Sequence, residues 1–299
     1  MKLFSRILPL LYLAALAGLP SCKKDKFTPI TTPPVGLGGD NSPNTAVDTF
    51  IYDSLTVPYN VAVYYKWLPG ELDFPSDITP PDESKVIPMC KALLNVAYAP
   101  YNKITGSTLF LRKYLPKALE LAGSAEFLPN GAIFLGQAEG GTAMLLYQVN
   151  NFSRLKADSN TFKQTMHTMH HEFGHILHQN IYYPVAYKTI STGYSANWYN
   201  IPDAVARQNG FITAYASSAP DEDFVEMISS MLSGGPNGPS GGYDEYEQLL
   251  VQAGGPGSVG YETIKQKEAV VVDYFARSWN IDFYALRAIC RSSFVNYLQ

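Results

Sequence analysis

His170-His171-Glu172-Phe173-Gly174-His175-Ile176-Leu177-His178 carries the pattern H-E-x-x-H at His171, Glu172 and His175. On an α-helix, residues four apart lie one turn along the same face, so His171 and His175 can direct two imidazole nitrogens at one ion. Glu172 sits about 100° further round, close enough to reach a water on that ion without displacing it. Zinc lowers the pKa of such a water, and a neighbouring carboxylate takes its proton. The stretch therefore reads as a Zn2+ site with a built-in general base. All five histidines of the chain (His167, His170, His171, His175 and His178) fall in this one segment. A merely solvated helix face gives no reason for that.

The flanking residues set the helix. Phe162, Met166, Met169, Phe173 and Ile176 recur at spacings of four, three, four and three, an apolar stripe on the side opposite His171. Thr161 with Gln164 three residues on fits a capping box, and Pro184 follows the Gln179-Asn180 end, so the expected helix covers about 161–178. His178 is roughly 10.5 Å along the axis from His171, too far for both to reach one ion. His167 is similarly too far from His175. Both, with His170, read as residues that back the ligands, pack, or face solvent. The extended motif H-E-x-x-H-x-x-G-x-x-H is excluded because His178 and Ile181 occupy its Gly and last His positions. With no histidine elsewhere, the third ligand is expected to be a carboxylate.

A second informative stretch supplies candidates. Gly210-Phe211-Ile212-Thr213-Ala214-Tyr215-Ala216 is followed by Ser218-Ala219-Pro220-Asp221-Glu222-Asp223-Phe224-Val225-Glu226-Met227-Ile228. Ser218 with Asp221 fits a capping box, and Pro220 suits a first turn. Phe224, Ile228 and Met231 form an apolar face, with Glu222 and Glu226 on the other. Either glutamate could complete a tetrahedron. Acids in a first turn also complement the positive helix N-terminus, which accounts for Asp221, Glu222 and Asp223. Glu226 lies beyond that turn, so it is the expected metal ligand, with Asp223 or Glu222 orienting a ligand histidine.

Working outward, Lys2 and Arg6, the apolar run from Ile7 to Leu19 and the ending Leu19-Pro20-Ser21-Cys22 read as a signal peptide over residues 1–21. The apolar run is about 13 residues, short of the roughly 20 that span a bilayer. Its form resembles a bacterial lipoprotein signal, which implies lipidation at Cys22. Residues 22–50, rich in Pro, Gly and Thr, read as a flexible tether, leaving one domain over 51–299. Removing Lys2 and Arg6 from 22 basic residues, against 26 acidic ones, leaves a net charge of about −6, and no basic patch argues for nucleic acid. Cys90 and Cys290 could pair outside the cytoplasm or stand as buried free thiols.

Within the domain, alternation over 59–67 predicts a strand and the 83–98 spacing a helix; 114–121 reads as a further helix. Segments 132–135 and 143–147 read as strands around a Gly-rich turn at 139–142. Lys188 to Asp203 reads as a long loop able to wall a cleft. Residues 243–252, 262–278 and 282–298 read as closing helices. The whole is an α+β pattern, a small mixed sheet with an active-site helix and a mainly helical C-terminal part.

His-Glu-Phe-Gly-His, followed some fifty residues on by Gly-Phe-Ile-Thr-Ala-Tyr-Ala and Asp-Glu-Asp-Phe-Val-Glu-Met, behind a lipoprotein leader, resembles the zinc-binding metallopeptidase lipoproteins associated with outer-membrane substrate import. Those are zincins of the glutamate-ligand (gluzincin) type. Phe224-Val225-Glu226 is similar to that family's Phe-Ala-Glu, with Val225 a departure. The resemblance implies a zincin fold, peptide-bond hydrolysis with Glu172 as base, zinc on His171, His175 and Glu226, and a cell-surface or outer-membrane location. It also implies a TonB-dependent transporter and a surface lipoprotein as partners. Tyr215 sits where such enzymes can offer a hydroxyl to an oxyanion, although packing is the simpler expectation. The rival from another class is a non-catalytic surface lipoprotein binding polymer or peptide, with zinc structural.

Overall fold

The computed structural model describes residues 44–66, 78–127, 133–134, 136–139, 142–233 and 245–298. The signal segment, Cys22, the expected tether up to residue 43, Trp67, and the glycines at 140–141 lie outside the described residues.

Strand β1 (Ala62–Tyr64) pairs in parallel with β2 (Ala118–Leu121). A short antiparallel ladder of β3 (Glu126–Phe127) and β4 (Ile133–Phe134) stands apart. Edge strand β5 (Gly136–Glu139) runs antiparallel to β6 (Ala143–Leu146), which pairs in parallel with β2, giving the order β1-β2-β6-β5. Residues on one face of a strand recur every second position. Leu119 and Leu121 therefore stand opposite Met144 and Leu146, all four buried on the core side.

The helices are α1 (Ala46–Ile51), α2 (Glu83–Ala92), α3 (Ala99–Thr105), α4 (Leu109–Tyr114), α5 (Asn160–Asn180), α6 (Asp203–Gln208), α7 (Pro220–Ser233), α8 (Glu245–Gln252), α9 (Val259–Trp279) and α10 (Phe283–Tyr297). Two of them widen into π-helical turns, at Tyr52–Thr56 after α1 and Leu93–Tyr98 after α2. Each ends shortly before a proline, Pro58 or Pro100. A proline supplies no N–H and crowds the carbonyl four residues back, so a widened turn relieves both defects. The core joins the sheet face to α5, α7, α9 and α10 through Phe162, Phe173, Phe224, Phe275 and Phe294, all at most 1% exposed.

The α+β architecture agrees with the sequence reading, and four local expectations change. The folded body starts at α1, capped by Thr45 with Asp48 and burying Val47 and Ile51, so it begins before residue 51. Residues 114–121 are not one helix. Pro116 disfavours helical geometry at Leu115, which is extended, and the chain enters the sheet as β2. The 59–67 strand shrinks to β1 because Val57–Tyr59 is helical and Asn60 turns the chain with a positive φ of 58°. Helix α5 starts without the Thr161 box, since its N-cap is Ser159, whose hydroxyl donates to the Lys156 carbonyl instead. Cys90 and Cys290 are free, buried thiols.

Candidate metal centre

Helices α5 and α7 carry the candidate residues and run antiparallel. His167 meets Ser229 and Ser233, His171 meets Glu226, and His175 meets Glu222, so the numbers fall on one helix as they rise on the other. Gly174 permits this approach. A Cβ there would lie 3.1 Å from Val225 Cγ1 and 3.2 Å from Val225 Cβ, closer than carbon contacts normally settle.

Three donors converge on the outer side of this pair. His171 Nε2 is 3.1 Å from Glu222 Oε2, His175 Nε2 is 3.3 Å from the same oxygen, and the two nitrogens are 3.2 Å apart. Bonds of about 2.0–2.1 Å in a tetrahedron place neighbouring ligand atoms about 3.3 Å apart. The observed triangle therefore fits a zinc ion's ligand edge on all three sides. It is open on one side: the side chains of His175 and Glu222 are 15% and 23% exposed, against 8% for His171.

The remaining ring nitrogens are held from behind. His171 Nδ1–H donates to Glu226 Oε1 at 2.7 Å, which leaves a lone pair on Nε2. His175 Nδ1 is 3.1 Å from His178 Nε2, so a proton on that Nδ1 likewise leaves the His175 Nε2 lone pair facing the triangle. Outer partners of this kind fix the tautomer and the ring orientation of metal-binding histidines. Lone pairs facing one another across about 3 Å need a positive charge between them. In the metal-free protein that charge is a proton. Burial opposes it, yet hydrogen bonds donated to Glu222 and Glu226 push His171 up to about 10. Burial would raise Glu222, but its hydrogen bonds to His171 and His175 hold its carboxyl well below the usual range.

A second grouping, His167, His171 and Glu226, is fully buried. Its contacts to Glu226 Oε1 are 2.9 and 2.7 Å, which are hydrogen-bond lengths and shorter than a ligand edge.

The structure thus brings His171 and His175 together as expected, but with Glu222. Glu226, the expected ligand, sits behind His171 on the opposite ring nitrogen. Asp223 orients neither histidine. It points to the far side of α7, where its Oδ2 meets Lys267 Nζ at 2.6 Å and accepts from the Tyr194 hydroxyl at 2.8 Å. Glu172 is buried on α5, and its negative charge is felt by both His171 and Tyr215. Tyr215 does not pack away from the site. Its ring lies 5.7 Å from His171; burial and a hydrogen bond to Glu222 raise its hydroxyl pKa. His178 is buried, and burial holds it down at about 4, hence neutral. His170 packs 6.0 Å from Tyr101, pushed to about 3 by burial. The signal for Glu222 was its four-residue spacing from Glu226, which mirrors His171 and His175.

An α+β fold with two histidines and a carboxylate converging at ligand-edge distances is the arrangement of zinc-binding metallopeptidases. The chain belongs to the family described as "Putative zinc-binding metallo-peptidase", which matches residues 40–284. It is also similar to the crystal structure of a putative zinc-binding metallo-peptidase from Bacteroides caccae ATCC 43185 at 2.10 Å resolution, with a TM-score of 0.68 and 31% identity, over 84% of this chain and 92% of that one. No curated protein matches the chain.

Proposed function

We propose that this protein is a zinc-dependent peptidase in which His171, His175 and Glu222 hold the ion and Glu172 is the general base. The observation that carries the reading is the three-sided donor triangle, with edges of 3.1, 3.2 and 3.3 Å. A bound zinc supplies Lewis acidity toward a water and a scissile carbonyl. Glu172 accepts the proton of the attacking water and returns it to the leaving amine. Glu226 and His178 keep the two imidazoles in the tautomer that faces the ion. Tyr215, beside Glu222 and His171, is placed to donate a hydrogen bond to charge developing on the carbonyl oxygen. Edge strand β5 lies beside α5 and supports an extended peptide as substrate, since a sheet edge offers backbone donors and acceptors in register.

Three protein donors favour catalysis over the rival reading of a structural zinc in a binding lipoprotein, because structural sites generally close with four. The leader ending at Cys22 supports a lipid-anchored protein of the outer membrane or cell surface. A TonB-dependent transporter and a partner lipoprotein are part of the same proposal. No helix among the described residues is long and apolar enough to cross a membrane.

Zinc content of the full chain and its Glu222→Gln and Glu172→Gln variants tests this. About one equivalent is expected in the parent and in Glu172→Gln, with loss in Glu222→Gln; cleavage of a peptide library is expected in the parent alone. A folded parent that binds no zinc would sink the reading.

A further inference from the structure

Glu226 is 4% exposed, and its carboxylate is met on both oxygens. Oε1 receives His171 Nδ1–H at 2.7 Å and His167 Nε2–H at 2.9 Å. Oε2 receives the Thr213 hydroxyl at 2.7 Å. Each added partner has its own support. His167 lies one helical turn before His171, with the hydroxyl of Ser229 3.2 Å from its Nε2 and that of Ser233 3.3 Å from its Nδ1. Thr213 Oγ1 accepts the Ala216 N–H at 3.1 Å, so its one proton is directed at Glu226. The segment 210–216 thereby reaches the centre twice. Thr213 touches Glu226, and the turn it pins carries Tyr215 beside Glu222.

A buried carboxylate held on both oxygens cannot rotate without stranding a buried donor, which costs more than the bond contributes when made. His171 is fixed by Glu226, so whatever fixes Glu226 also fixes the Nε2 lone pair. We propose that His167 and Thr213 are positioning residues of the metal centre, clamping Glu226 from two sides so that His171 stays aimed at the ion. This rests on the reading that His171, His175 and Glu222 bind zinc. The buried trio of His167, His171 and Glu226 is, on this view, a hydrogen-bonded brace and not a second metal site.

The test measures zinc affinity of the full chain by competition with a chromophoric chelator, alongside thermal unfolding of the metal-free protein. Thr213→Val removes the donor at nearly constant shape and Thr213→Ser keeps it; His167→Leu removes a donor and His167→Gln keeps an amide N–H near the same place. Loss of an outer partner is expected to weaken zinc about 10- to 100-fold in the Val and Leu variants, with Ser and Gln within about threefold of the parent. A purely structural role would lower the metal-free melting temperature and leave zinc affinity unmoved. Parent-like affinity in Thr213→Val and His167→Leu would overturn the proposal. So would two zinc equivalents in the parent falling to one in His167→Leu, which would make the brace a second site. If His167→Leu does not fold, the Thr213 pair decides. The Glu222→Gln arm keeps the two readings separable, since a parent that binds no zinc, or a Glu222→Gln variant that loses none, removes the metal centre itself.

Discussion

Replacing Lys267 with Met should be the most damaging single change remote from the metal. Lys267 and Asp223 have fully buried side chains, 2.6 Å apart. Lys267 also donates to the Gly210 carbonyl at 2.7 Å and sits 4.4 Å from the Phe211 ring. Burial pushes Asp223 up to about 6 against the pull of Lys267, and pushes Lys267 down against the pull of Asp223. Each charge is tolerated only because of the other. Methionine keeps most of the stem volume and leaves a buried carboxylate with the Tyr194 hydroxyl as its remaining short contact. Breaking a buried pair from one side costs about 3–5 kcal/mol. For a domain of this size, at about 2–4 °C per kcal/mol, that is a fall in Tm of roughly 6–20 °C. Urea unfolding of the metal-free full chain, followed by far-UV circular dichroism, reads the loss directly. The Asp223→Asn/Lys267→Met double variant should lose less than the sum of its singles, since each removes the other's reason for cost. A loss under about 1 kcal/mol for Lys267→Met, or strict additivity, would refute the argument that the pair is mutually obligatory.

Three further outcomes follow from the same packing and chemistry. Gly174→Ala should destabilise by about 1 kcal/mol, because overpacking against Val225 outweighs a helix-propensity gain of about 1 kcal/mol. In a Val225→Ala background the sign should reverse, and thermal melting of the four proteins checks it. Burial pushes the Cys90 thiol up to about 12 and the Cys290 thiol higher, so at pH 8 neither should react with a disulfide reagent in the native protein, while both react in urea. Glu226→Gln should weaken zinc about 10- to 100-fold, because the amide can still meet His171 Nδ1 but brings no charge; abolition of binding equal to that in Glu222→Gln would contradict the assigned order of the two glutamates.

Much of the fold was legible where periodicity was strong. The histidine helix, expected over about 161–178, is Asn160–Asn180. The closing helices were placed to within a few residues, because Gly-rich breaks and Asp282 mark their ends. Failures came where a local rule met a tertiary one. Residues 114–121 have helical apolar spacing, but Pro116 and the place between β1 and β6 decide for a strand. At the site, spacing alone brought His171 and His175 onto one face of α5, with Glu172 beside them. The choice between Glu222 and Glu226 did not, because both lie on one face of α7 and only the offset between two helices distinguishes them. Likewise no pattern in the sequence announces that Thr213, about forty residues from the histidines, reaches the carboxylate behind them.

Glu222 and Glu226 grip one imidazole at both of its nitrogens from positions one turn apart on α7. A slide of α7 by one turn along α5 would bring Glu226 to the triangle and Ser230 behind His171, leaving a donor set of the same count without its anionic backing. The opposite slide would present Ser218, with no carboxylate for the ion at all. Zinc would therefore bind most tightly to only one alignment of the two helices, in the worse case by far more than the 10- to 100-fold of a lost outer partner. A bound zinc would thus act as a proofreader of the fold, stabilising the chain most in the correct register.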